Sequence, residues 1–75
     1  MVQFTNIRSD ENYIYADAED MDAKRKFRVK VHKIEDEFYM EPNDFTVSVA
    51  KALWPMIKEF NKKKGKLKDI VITWG

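Results

Sequence analysis

The side chains that could do chemistry are few. His32 is the only histidine and there is no cysteine. A zinc site draws several ligands from those two residue types, so no metal is expected. The acids Asp17, Glu19, Asp20 and Asp22 do not fall at calcium-loop spacing. Ser9 and Ser48 have no base in any recognisable arrangement, and two glycines cannot build a loop that cradles phosphate. Asp20 and Asp22 are close in sequence but lie beside lysines in a stretch that reads as a turn. Solvation accounts for them better than acid–base catalysis does. The sequence therefore reads as a non-enzyme, with no cofactor.

One pattern with chemical content remains. Tyr13, Tyr15, Lys26, Arg28, Lys30, His32 and Tyr39 recur at alternate positions of extended stretches, and alternation brings such residues to one face of a sheet. Rings interleaved with cations can stack bases and meet phosphates, the requirement for binding single-stranded nucleic acid. Tyrosine and arginine are also the residues that interfaces between proteins favour. A pI near 7.9 is low for a dedicated nucleic-acid binder. A protein partner or a homodimer, joined through this face or through an edge of the sheet, is accordingly the preferred expectation, with single-stranded nucleic acid as the alternative.

The elements that must position these residues follow from periodicity. Residues 24–33 alternate most strictly: Phe27, Val29 and Val31 point one way and Lys26, Arg28, Lys30 and His32 the other, as a half-buried antiparallel strand requires. Residues 13–18 make a second strand, with Ile14, Ala16 and Ala18 inside. A turn at 20–23 predicts a hairpin that sets Ile14 against Val29, Ala16 against Phe27, Asp17 against Lys26, Tyr15 against Arg28 and Tyr13 against Lys30. Residues 37–41 form a short strand after a turn at Glu35 and Asp36, with Val31 facing Met40 and His32 facing Tyr39. Residues 2–8 form the first strand. Val2 and Phe4 share a face that Ile7 does not, which a bulge or a register change near Asn6 would reconcile.

Residues 45–60 carry the only long helical rhythm: Phe45, Val49, Leu53, Met56, Ile57 and Phe60 recur at steps of three and four. Asn43 or Asp44 is expected to cap its start. Three lysines and Gly65 stop its end, and as a helix terminus they need no polyanion. Pro55 removes one backbone donor and crowds the preceding turn, so the helix is expected to kink there rather than split. Residues 67–74 form a last strand with Ile70, Ile72 and Trp74 on one face. Seated beside the first strand it would be antiparallel, and beside the fourth parallel; the former is preferred.

The fold class is thus α+β, a single domain over residues 1–75. A four-stranded antiparallel β-meander is covered on one face by a single helix kinked at Pro55, with a C-terminal closing strand. In outline this is similar to single-strand-binding coactivator-like domains of four strands and a helix, from which the closing strand departs. The resemblance implies nucleic acid on the open face.

Composition allows one small core, which must hold itself or be helped by a second subunit. The chain is 44% hydrophobic and 36% charged, with net charge +1, and at 75 residues it buries roughly 60% of its unfolded surface. The charges are segregated: residues 9–22 hold six acids and no base, and residues 24–33 six bases besides His32 and no acid. Such blocks pair by opposite charge when neighbouring strands fold together. No apolar run is long enough to span a membrane, and the first residues do not read as a signal peptide. The cytoplasm is the expected location.

Overall fold

The computed structural model describes residues 1–35 and 37–73. Five strands, β1 (Val2–Ser9), β2 (Tyr13–Asp20), β3 (Arg25–His32), β4 (Phe38–Glu41) and β5 (Ile70–Ile72), form one sheet. Helix α1 (Val47–Lys62) stands between β4 and β5 in the chain. The sheet order is β4-β3-β2-β1-β5, antiparallel at every junction. The order β-β-β-β-α-β is the one expected, and β5 takes the antiparallel seat beside β1. Because β4 and β5 occupy opposite edges, α1 crosses the sheet obliquely and packs on β1, β2 and β5. No helix among the described residues is long and apolar enough to cross a membrane.

Alternation decides which face of each strand is buried. Val2, Phe4, Ile14, Ala16, Ala18, Phe27, Val29, Val31 and Met40 lie on the side that carries the helix, in one buried cluster with Val49, Ala52, Leu53, Met56 and Phe60. The bulge in β1 falls where the misphased apolar residues demand it: the register shifts between Thr5 and Arg8, and Asn6 sits at φ 52°. Asparagine tolerates that left-handed geometry better than most residues. The extra residue turns Ile7 inward beside Val2 and Phe4.

The hairpin register differs from the expected one by two residues. Tyr15 faces Lys30, Asp17 faces Arg28 and Glu19 faces Lys26, while Ile14 faces Val31, Ala16 faces Val29 and Ala18 faces Phe27. The same slip recurs in the next pair, where Met40 faces Val29 and Tyr39 faces Lys30. A two-residue slip leaves every side chain on its own face, so alternation cannot detect it. The turns decide it. Residues 21–24 form a four-residue loop closed by Lys24 at φ 56°, because Met21 and Asp22 lack the chemistry of a two-residue primed turn. The loop after β3 is held by His32, whose Nδ1 accepts from the amides of Ile34 at 3.2 Å and Glu35 at 3.0 Å. Asp36, expected in that turn, lies outside the described residues.

The helix starts and ends two residues later than its rhythm predicts. Its cap is Thr46, not Asn43 or Asp44, and the Thr46 hydroxyl accepts from the Val49 amide at 3.3 Å. Phe45 is outside the helix, its ring edge-on to Phe38 with centroids 5.5 Å apart. Pro55 lies inside one continuous helix, on its exposed side together with Lys51 and Trp54. The carbonyl that the proline leaves unpaired is therefore on the side open to water. At the far end Gly65 adopts φ 78° and its amide donates to the carbonyl of Phe60. The last strand is shorter than expected, with Ile72 buried and Val71 exposed; Trp74 lies outside the described residues.

Candidate binding face

The helix packs on one side of the sheet, and among the described residues no element covers the other. All seven residues singled out in the sequence lie on the bare side: Tyr13, Tyr15, Lys30 and His32 half-buried, Lys26, Arg28 and Tyr39 exposed. Register arranges them in rows across the strands. Tyr13 pairs with His32; Arg8, Tyr15, Lys30 and Tyr39 share the next row; Asp17, Arg28 and Glu41 follow; Glu19 and Lys26 close the series.

The first two rows form a packed aromatic–cationic cluster. Lys30 Nζ lies 4.1 Å from the Tyr13 ring centroid and 5.8 Å from that of Tyr39. The Arg8 guanidinium sits 5.6 Å from the Tyr15 centroid, Tyr13 and Tyr15 are 6.2 Å apart, and His32 meets Tyr13 edge-on at 5.0 Å. These are distances at which ring quadrupoles attract cations and one another. Asp10 braces the cluster from the β1–β2 turn. Its carboxylate accepts from the Tyr15 hydroxyl at 2.6 Å and from the amides of Asn12 and Tyr13.

Those bonds set the protonation states. The Tyr15 hydroxyl first, then the two backbone amides, lower Asp10 to a pKa of about 2, and the same bond raises the phenol of Tyr15. The charge of Glu37 raises Tyr39. All three shifts run away from neutrality, so none prepares an acid or base for work near pH 7. No group of three or more metal-ligating side chains occurs among the described residues.

The remaining rows alternate in sign and leave their charges open. Among the described residues the ion pairs are Met1 amine–Asp22 and Arg25–Asp44, and neither involves this face. Arg28 and Glu41 stand between two open hollows of about 640 and 590 Å³. One is bordered by Asp17, Glu19 and Lys26, the other by Arg8, Tyr15, Lys30 and Tyr39.

Two residues of consequence escaped the sequence reading. Arg8 joins the cluster because the bulge that turns Ile7 inward turns its neighbour outward, a step implicit in the predicted bulge. Asp20 continues the inward phase of Ile14, Ala16 and Ala18, and is 2% exposed. Its carboxylate accepts from the amides of Asp22 and Ala23 and from the Thr46 hydroxyl at 2.6 Å. It thus ties the β2–β3 turn to the helix cap, and these bonds, that from Thr46 foremost, lower its pKa. No family model, curated protein or solved structure matches the chain.

Proposed function

We propose that this protein is a non-enzymatic interaction module that takes a protein partner, a second copy included, on the uncovered face of its sheet. One observation carries the reading. On the bare side of a sheet covered on its other side, three tyrosines, Arg8 and Lys30 hold one another in place. Side chains fixed before binding lose little entropy on association, and tyrosine and arginine are the usual anchors of protein interfaces.

The same face bears on the alternative. Single-stranded nucleic acid needs open ring faces and a cationic track. Here Lys30 stands over Tyr13, Arg8 over Tyr15, and Asp17, Glu19 and Glu41 nearly offset the four cations. That balance favours protein. The cytoplasm is the proposed setting, since a cysteine-free domain held by packing needs no oxidising compartment.

The test starts from a partner captured on immobilised protein, identified, purified and returned for calorimetry. Binding should fall at least ~10-fold, about 1.4 kcal/mol, for R28S/Y39S and stay level for K58S on the outer face of the helix. Equal binding by R28S/Y39S would overturn the reading. So would tight binding of labelled single-stranded oligonucleotide that weakens steeply between two salt concentrations.

A further inference from the structure

We infer that the open face is self-complementary and that its occupant is a second copy of this chain, stacked face to face about a two-fold axis running parallel to the strands between β2 and β3. The inference rests on the reading of this face as a protein-binding surface and names its partner.

Symmetry and charge order point to a second copy. Stacking two identical faces requires a two-fold axis lying in the plane between them. An axis parallel to the strands and midway between β2 and β3 keeps each row in place while exchanging the strands. Every β3 side chain of the open face then meets the partner's copy of its own cross-strand neighbour. Those neighbours are Glu19 for Lys26, Asp17 for Arg28, Tyr15 for Lys30 and Tyr13 for His32. The two charged contacts each join a base to an acid, and symmetry makes each twice. Within one chain the same neighbours stand side by side without closing an ion pair among the described residues, so the charges are open to a partner above them.

The two longer dimensions of the molecule, 31 and 23 Å, limit the face to at most roughly 700 Å² per copy, under the ~800 Å² each partner gives to a standard interface, so the contact is a small one. Aligned sheets stack with their strands about 30° apart, so the central rows keep their register best. An interface built on lysine, arginine and carboxylate gains little from apolar burial, so association should be weak and sensitive to salt.

The test is sedimentation across a concentration series, with folding followed by circular dichroism. Wild type should move from 9.0 kDa toward twice that mass, less so at about 0.5 M than at about 0.05 M salt. D17K/E19K should lose self-association, because like charges then face one another across the axis. D17K/E19K/K26E/R28E restores opposite charge within the sheet and across the axis, so it should self-associate as wild type does. It should pair with labelled wild type at least tenfold more weakly than with itself, since in the mixed pair each charged contact is between like charges. Should the quadruple variant not fold, E19K/K26E makes the same comparison with one charge pair exchanged. Wild type that stays monomeric to ~1 mM, or free mixing of the reversed and native chains, would overturn the inference. Either result leaves the protein-binding reading to be decided by the partner titrations above.

Discussion

Replacing Thr46 by alanine removes two hydrogen bonds through one oxygen. The hydroxyl accepts from the Val49 amide, closing the first turn of α1, and donates to the carboxylate of Asp20. Loss of a threonine N-cap costs about 1 kcal/mol, and loss of a hydrogen bond to a charged group about 1.5–3 kcal/mol. The two share an oxygen and do not add in full, so T46A should lose about 2–3 kcal/mol in urea unfolding. That is a large share of the roughly 4–11 kcal/mol expected of a domain this size. Melting should fall by about 10–20 °C, and T46S, which keeps the oxygen, should restore most of it.

The pH dependence gives the sharper check. Asp20 is depressed in the folded state, chiefly by Thr46. A depressed carboxyl adds stability that is complete above its unfolded pKa of about 3.9 and fades as pH falls through the lower folded value. The gap between wild type and T46A should accordingly be widest at neutral pH and shrink below about pH 4 toward the capping contribution alone. A gap under ~0.5 kcal/mol at pH 7, or one that does not change on acidification, would refute the coupling of cap to turn.

Y15F removes the strongest of the bonds holding Asp10 at about 2, so carboxyl NMR should find that group titrating nearer the ordinary aspartate range; an unmoved titration would deny the bond. G65A should cost about 1–2 kcal/mol from backbone geometry alone, since its φ is 78° while the added carbon would meet Phe60 at an ordinary 3.6 Å. Thermal melting reads this directly. L53A empties a fully buried site beneath the helix and should cost about 2–5 kcal/mol in urea unfolding, with no effect on the open face.

What the sequence discloses about this fold is set by period. Phe27, Val29 and Val31 against Lys26, Arg28 and Lys30 settle the buried and open faces of β3, and with them the membership of the candidate face. Register is a different quantity. Moving β3 by two residues past β2 preserves apolar against apolar and acid against base, so neither pattern separates the alternatives. The choice falls to Asp20 and Lys24 in one turn and His32 in the next, through side chains that accept from backbone amides and a left-handed residue that pair statistics do not report. The helix start shows the same limit. Phe45 fits the helical period, yet its ring is placed by Phe38 across the loop, and the cap passes to Thr46 because Asp20 waits beneath its hydroxyl.

Two routes lead such a sheet to another chain, along an edge or across a face, and strand length separates them. The edges belong to β4, four residues long, and β5, three. A ladder on either offers few main-chain bonds, and Pro42 follows one edge while Lys66, Lys68 and Asp69 lead into the other. Short edges flanked by proline and charge are how sheets discourage added strands. The face has the reverse properties. It spans the full eight residues of β2 and β3, and its charges are ordered by strand rather than scattered. That order already helps the hairpin choose its partner, at about 0.2–1 kcal/mol per cross-strand pair. Acids on one strand and bases on the next, placed there for the sake of folding, are thus also what the proposed pairing with a second copy would use.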